Sequence, residues 1–158
     1  MEVGGHSRFA WAAAAVLAFS MLPAPYAGAL AGEEAALEGL KKRVANAGIA
    51  DRPPLCIQIS ERQLGEADRL FIAGDVDKAQ EALADVTAFS ELARNYAIQS
   101  HKHEKQSEIA IRKMIRKLES LKHAVTFADQ KPIQDSIDRL QKIRDDLLAA
   151  MFPQGVKK

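Results

Sequence analysis

The chain has 158 residues and a formal net charge of +1, so its total charge points to no class of partner. Only 6% of the residues are aromatic and alternating β-branched residues are nearly absent, which argues against a sheet and favours closely packed helices. The single cysteine, Cys56, excludes an internal disulfide, and the lack of a Cys-x-x-Cys-His motif excludes covalently attached haem. We interpret Cys56 as a small buried apolar residue, with an interchain disulfide or a reactive thiol as the alternative.

The first 31 residues have the layout of a secretory signal peptide. A weakly basic start precedes an apolar stretch at 9–22, and two overlapping small-x-small sites then predict cleavage after Ala29 or Ala31. The apolar stretch is shorter than the roughly twenty residues that span a bilayer, so an uncleaved anchor is the weaker alternative. We therefore expect an exported, periplasmic or secreted protein with no transmembrane segment after processing.

Residues 32–54 are predicted to form a short helix followed by a proline-containing linker. Leu37, Leu40 and Val44 recur at the spacing of one helix face. Pro53 and Pro54 disfavour helical backbone in the residues before them, so we expect an extended course up to residue 54. A helix of this length is marginal in isolation, and we expect it to be only loosely attached.

Residues 55–152 are predicted to form the helical domain, with helices at 55–73, 76–128 and 132–151 and a tail at 153–158. Gly74 is expected to end the first helix, and Asp75 to cap the second by accepting an orphan backbone N–H. Asp129 is expected to cap the last helix in the same way. Because the connections are short, consecutive helices should be antiparallel neighbours.

Small and apolar residues surround the first of these turns in the pattern Ala67-x-x-Leu70-x-x-x-Gly74-Asp75-Val76-x-x-Ala79-x-x-x-Leu83. Over residues 60–92 this pattern resembles a tetratricopeptide-type helical hairpin. The resemblance implies a small residue of the first helix packed against the alanine of the second, with Gly-Asp at the turn. Gln63 stands where that family usually has a large apolar residue, and the chain has no second copy. Such repeats need several neighbours to bury a shared core, so we expect one hairpin of similar geometry and no peptide-binding array.

Residues 75–128 contain no glycine and no proline, and a polar segment at 99–108 divides their apolar residues into two groups. If the polar segment is helical, one long central helix carries an antiparallel helix at each end, as elongated or coiled-coil-like hairpins. If it forms a turn, the same pieces close into a compact four-helix bundle. The helical register continues through Ser100, Glu104 and Ser107, so the long central helix is the favoured architecture of this all-α chain.

Charge changes sign along this region. Residues 59–95 carry eight acids and four bases, a sum of −4, whereas residues 96–123 carry seven bases and three acids, a sum of +4. At 100° per residue, six bases fall on one side of the helix, and we call them the basic strip: Lys102, Lys105, Arg112, Lys113, Arg116 and Lys117. The simpler interpretation is a solvated face. The functional interpretation is a docking strip for an acidic protein partner, an anionic envelope surface or a second copy in a homo-oligomer.

The same region offers candidate contacts to two further classes of ligand, metal ions and nucleic acid. His101, Glu104 and Glu108 share a face at i, i+3 and i+7 and offer one nitrogen and two oxygens to a metal ion, but a solvated helix is the simpler interpretation. Nucleic acid suits the charge, whereas export and the lack of aromatic residues for stacking argue against it. We expect no nucleic acid, no metal and no other cofactor.

The chain has no Gly-rich phosphate loop, no nucleophile elbow and no His-Glu-x-x-His motif, so no enzymatic activity is expected. The sequence instead favours an exported helical interaction or scaffold protein that docks through its basic strip. The alternatives are a small periplasmic metal-responsive or chaperone-like helical protein, or a self-assembling structural rod.

Overall fold

The computed structural model describes the backbone of residues 26–153 and the side chains of residues 32–153. Five α-helices and two short 3-10 turns, and no strands, make up the regular structure of this part of the chain, which confirms the all-α class. The helices are α1 (Tyr26–Asn46), α2 (Arg52–Ala73), α3 (Val76–Ser100), α4 (Glu104–Ala124) and α5 (Gln130–Met151), and the 3-10 turns are Ile49–Asp51 and Phe127–Asp129. Most of the predicted signal peptide, residues 1–25, and most of the predicted tail, residues 154–158, lie outside the described residues.

Helices α2 and α3 form an antiparallel hairpin. Gly74 ends α2 in the left-handed conformation, at φ 80°, where its missing Cβ avoids the strain that another residue would carry. Farther from the turn, the Ser60 hydroxyl donates to the Val86 carbonyl at 3.2 Å, and Gln63 Nε2 donates to Asp85 Oδ2 at 2.7 Å. Gln63 therefore makes a hydrogen bond across the hairpin.

Helices α4 and α5 form the second antiparallel hairpin. Arg144 Nε donates to Glu108 Oε1 at 2.8 Å near one end, and Lys122 Nζ donates to Gln134 Oε1 at 2.7 Å near the other. Fully buried leucines and isoleucines from both helices fill the space between these polar contacts. The buried residues of α5 recur mostly at spacings of three and four: Ile133, Ser136, Ile137, Leu140, Ile143 and Leu147.

The two hairpins pack against each other as a compact four-helix bundle. Arg94 Nη1 of α3 donates to Asp146 Oδ2 of α5 at 2.6 Å, and Lys117 Nζ of α4 lies 3.4 Å from Asp68 Oδ2 of α2. Helix α3 thus lies beside α5, and α2 beside α4. Helix α1 packs on the outside of α2 and buries Leu40 and Val44 there.

The predicted continuous helix over 75–128 is wrong, because the chain reverses between Ser100 and Glu104. His101 and His103 both adopt the left-handed conformation, at φ 54° and 64°. The backbone N–H groups of His101 and Lys102 both donate to the Ala97 carbonyl, which ends α3 as a Schellman-type turn. Histidine thus occupies a position at which glycine is usual.

Burial explains why the chain turns where it does. The polar segment at 99–108 offers few apolar side chains, so a helix that continued through it would bury little apolar surface and gain little stability. Reversal instead brings the apolar face of α4 into the bundle, where its large side chains become buried: Ile111, Met114, Ile115, Leu118 and Leu121. Each such burial contributes about 1.5–3 kcal/mol, whereas each left-handed residue costs about 1–2 kcal/mol. The packing of five side chains outweighs the strain at two histidines.

Replacing His101 with glycine is expected to raise the free energy of unfolding by about 0.5–1 kcal/mol, because glycine adopts positive φ without strain. The gain is partial, since glycine also loses more backbone entropy on folding. Chemical denaturation followed by circular dichroism measures the change. As a control, Glu119→Gly in the exposed middle of α4 should lower stability by about 1 kcal/mol. A destabilising effect of both substitutions would contradict the left-handed turn.

The predicted extended linker up to residue 54 is also wrong. Pro53 and Pro54 lie in the first turn of α2, where the N–H groups that proline lacks have no partner within the helix. Arg52 fixes this junction: its Nε donates to the Ala47 carbonyl at 3.1 Å, and its guanidinium lies 5.0 Å from the centre of the Tyr96 ring. The leading helix is accordingly joined to the bundle through a compact 3-10 turn.

Asp75 and Asp129 occupy the N-cap positions of α3 and α5, but neither side chain caps its helix as predicted. Asp75 Oδ2 lies 2.9 Å from Lys78 Nζ, and this hydrogen bond holds the pKa of Asp75 below its ordinary value. Asp129 Oδ2 accepts from the Thr126 hydroxyl at 2.7 Å. Neither residue has the extended backbone that aims an N-cap side chain at the first turn.

Cys56 is fully buried in α2, in agreement with its interpretation as a small core residue. Burial raises the pKa of the Cys56 thiol to about 11, and the nearby Arg52 guanidinium opposes that shift only in part. Because the thiolate is the reactive species, its fraction near neutral pH falls about a hundredfold below that of a thiol with the ordinary pKa.

We expect Cys56 to resist a thiol-specific reagent in the folded protein and to react fully once the protein is unfolded in denaturant. Because the folded-state pKa is raised to about 11, the reaction should be slow at neutral pH, rise about tenfold with each pH unit and level off only above pH about 11. Release of the chromophore from an aromatic disulfide reagent measures the rate. Rapid labelling at neutral pH without unfolding would contradict the burial of this thiol.

Candidate functional site

The basic strip lies mostly on the solvent side of α4. Five of its six residues belong to this helix, and all six are exposed, whereas Lys102 lies in the turn that precedes α4. The opposite side of the helix is fixed in the core by Ile111 and Leu118, which are fully buried. The sequence therefore places these bases correctly on one side of the α4 helix, although the helix begins later than predicted.

Pairing with carboxylates divides the strip. Lys117 Nζ lies 3.4 Å from Asp68 Oδ2, and Arg112 Nε lies 3.6 Å from Glu108 Oε1. In the described part of the chain, Lys102, Lys105, Lys113 and Arg116 have no ion pair within 4.0 Å. We define the basic ridge as the strip residues of α4 without Lys117, which pairs with Asp68 of the neighbouring helix α2: Lys105, Arg112, Lys113 and Arg116.

The ridge is compact and rigidly supported. Its first and last members, Lys105 and Arg116, are eleven residues apart, which is about 16 Å along a helix. Beneath it, Glu108 bridges the two helices of the second hairpin, because its Oε1 accepts from Arg144 Nε at 2.8 Å and also lies near Arg112. Glu108 is largely buried, and its negative charge is paired with Arg144 inside the hairpin. The bases on the outer side of α4 are therefore in excess over the acids available to pair with them.

The structure does not gather His101, Glu104 and Glu108 into a metal site. His101 precedes α4, is 87% exposed and places Nδ1 3.8 Å from Glu104 Oε1, whereas Glu108 is engaged with Arg144 inside the hairpin. Nowhere among residues 32–153 do three or more His, Cys, Asp or Glu side chains come together as metal ligands. His101 and Glu104 lie close to each other, but Glu108 is held against Arg144 between α4 and α5 and does not join them.

A groove of about 500 Å³ lies at the end of the bundle where α2 and α4 finish. Phe71 and Leu121 line its floor, and Ser120 and Lys117 of α4 line one side. Ser120 is seven residues beyond Lys113, so both residues have nearly the same angular position around the axis of α4. The groove is therefore a continuation of the basic ridge toward the end of α4.

Two large apolar side chains stand out at this end of the bundle. Ile72 is 80% exposed and lines the groove, and Phe127 is 90% exposed in the 3-10 turn beyond α4, between residues that line it. We call Ile72 and Phe127 the apolar end. Phe127 falls within the helix predicted at 76–128 but lies in a 3-10 turn, and Ile72 was not predicted to be a site residue. The signal for Ile72 was available, because it lies outside the stripe of Leu64, Ala67 and Phe71 that recurs at spacings of three and four on α2.

A second groove, of about 410 Å³, runs between α4 and α5. Three arginines line it, Arg112, Arg116 and Arg144, together with the acids Glu119 and Asp145. Glu119 and Asp145 reduce the positive charge beside this groove, so the positive charge of the ridge is strongest on the outermost side of α4. An exposed, convex row of cations can attract an anionic partner and orient it.

Within the residues that the structure describes, no helix has both the length and the apolar character that crossing a bilayer would require. Comparison of the chain with protein-family models, curated proteins and solved structures finds no match. The chemistry of the α4 surface is therefore the basis for assigning a function.

Proposed function

We propose that this is an exported, non-enzymatic helical interaction protein that docks an anionic partner through the basic ridge. The observation that carries the proposal is the excess of cations on the outer side of α4, where Lys105, Lys113 and Arg116 are exposed without an ion pair among the described residues. Lys131 is exposed but lies 2.8 Å from Asp135 Oδ2, whereas Lys42, Arg43 and Lys142 are exposed without an ion pair among the described residues but are divided between α1 and α5.

The bundle supports this role by holding the cations in place. Met114 and Leu118, on the inner side of α4, are buried in the core, so the helix cannot rotate without exposing them. A partner therefore meets charges whose backbone positions are fixed before binding, which reduces the ordering cost of association. Charged side chains at such a surface chiefly speed and orient encounter, so binding should weaken as salt is added.

Reversing three ridge charges tests the proposal. The variant K105E/K113E/R116E should bind immobilised poly-glutamate at least about tenfold more weakly than the unaltered protein at low ionic strength, because attraction becomes repulsion. Arg112 is left in place, since replacing it would also disturb Glu108. Surface plasmon resonance at several salt concentrations measures the affinity.

The matched control changes net charge by the same amount elsewhere. Lys42 and Arg43 on α1 and Lys142 on α5 are exposed, and K42E/R43E/K142E also reverses three charges. This control should lose much less affinity than the ridge variant. If the two variants weaken binding equally, total charge and not the ridge governs binding, and the proposed function is wrong.

A further inference from the structure

We propose that the anionic partner of the basic ridge is the surface of a lipid bilayer, with Ile72 and Phe127 inserting among the headgroups. This inference rests on the proposed function and names the partner of the same surface. It is carried by the juxtaposition of a cationic ridge with two exposed apolar side chains at one end of the bundle. Peripheral membrane proteins bind anionic bilayers through this combination of basic and apolar groups.

Charge complementarity favours a bilayer because it offers many mobile anionic groups over an area larger than the ridge. The ridge is convex and spans about 16 Å, so all four bases can reach a flat layer of headgroups together. Two acids line the groove beside the apolar end. Asp68 lies 3.4 Å from Lys117 Nζ and is paired, whereas Asp129 accepts a hydrogen bond from the Thr126 hydroxyl and keeps its charge, so the bases of the ridge outnumber the unpaired acid there. Each additional cation near such a surface raises affinity about fivefold.

The apolar end favours a bilayer over a folded acidic protein. Ile72 and Phe127 protrude into solvent and are 80% and 90% exposed, so a folded partner would need matching pockets, whereas fluid headgroups can part around them. Helices that lie in the membrane interface likewise bury Trp, Phe and Leu side chains at the boundary between headgroups and acyl chains. Ile72 also lines the groove with Lys117 and Ser120, which places it on the side of the bundle that α2 and α4 share.

Vesicle co-sedimentation tests the inference. The protein should bind phosphatidylglycerol-containing vesicles and show at least tenfold weaker binding to pure phosphatidylcholine vesicles. The variant I72A/F127A should bind the anionic vesicles at least about fivefold more weakly while keeping its affinity for poly-glutamate. Phe152, 69% exposed after the end of α5, supplies the control, and F152A should bind as the unaltered protein does.

A spectroscopic readout reports insertion directly. Phe127→Trp places an indole at the apolar end, and the chain's single tryptophan, Trp11, lies in the predicted signal peptide. The emission of the F127W protein should shift to shorter wavelength on adding phosphatidylglycerol vesicles and stay unchanged on adding poly-glutamate. The absence of a shift despite vesicle binding would overturn the insertion of this residue.

The outcomes separate this inference from the proposed function. Ridge-dependent binding to poly-glutamate without binding to anionic vesicles overturns the bilayer as partner and leaves the proposed function standing, with an acidic protein as the partner. Binding to neither probe overturns both. Vesicle binding that I72A/F127A leaves unchanged overturns the part played by the apolar end.

Discussion

Replacing Ile59 with alanine is expected to lower the free energy of unfolding by about 2–5 kcal/mol. Ile59 is fully buried in α2. The loss has two parts: the transfer free energy of the deleted carbons, and the cavity that the neighbouring helices cannot fill. Next to this site, the Ser60 hydroxyl donates to the Val86 carbonyl and accepts from the Ser90 hydroxyl, both at 3.2 Å. These buried hydrogen bonds hold α2 and α3 in register and oppose collapse into the cavity.

The same helix provides a matched control, because Ile72 is also in α2 and is 80% exposed. Ile72→Ala makes the identical chemical change and should alter stability by no more than about 0.5 kcal/mol. Denaturant titration of both variants, followed by circular dichroism, gives the two free energies. Equal losses at the two positions would mean that the face of α2 assigned to the core is wrong.

Local patterns in the sequence were sufficient to predict most helices. Helices α2 and α5 were predicted at 55–73 and 132–151 and are observed at Arg52–Ala73 and Gln130–Met151. The spacing of apolar residues within each helix and the stop signal at Gly74 are local features, and they are sufficient to predict these two helices. Their N-terminal ends were missed by two or three residues because proline is accommodated in a first turn.

The reversal between α3 and α4 could not be predicted in the same way. No glycine, proline or asparagine marks it, and His101 and His103 have no strong preference for the left-handed conformation. The stabilisation that favours a turn over a continuous helix comes from side chains beyond the turn, such as Ile111 and Leu118. These side chains become buried only when the bundle closes. Tertiary packing overrode the helical register that continues through the polar segment.

The candidate site was predictable to the extent that it depends on one helix. The bases at i, i+7, i+8 and i+11, counted from Lys105, lie on one side of α4 whether or not α3 continues into it, so the basic strip was found. The ion pair of Lys117 with Asp68 and the burial of Glu108 against Arg144 depend on packing between helices. The exposure of Phe127 depends on the connection that follows α4, which sequence spacing does not define.

Replacing Ala93 with leucine is expected to lower the free energy of unfolding by about 1–3 kcal/mol through overpacking. Ala93 is fully buried on α3, as are Ala79 and Ala97 on the same helix. Helix α3 packs against both α2 and α5, so a larger side chain there has to displace backbone or push its neighbours from preferred rotamers.

Ala88 gives the matched control, since it lies on α3 five residues earlier and is exposed. Ala88→Leu adds the same atoms on the solvent side and should change stability by no more than about 0.5 kcal/mol, because alanine and leucine both favour the helix. Thermal and denaturant unfolding of the two variants measure the difference. If Ala93→Leu is tolerated as well as Ala88→Leu, α3 does not sit between two helices at close range. The three buried alanines would then reflect helix propensity, and the bundle would be looser than the structure shows.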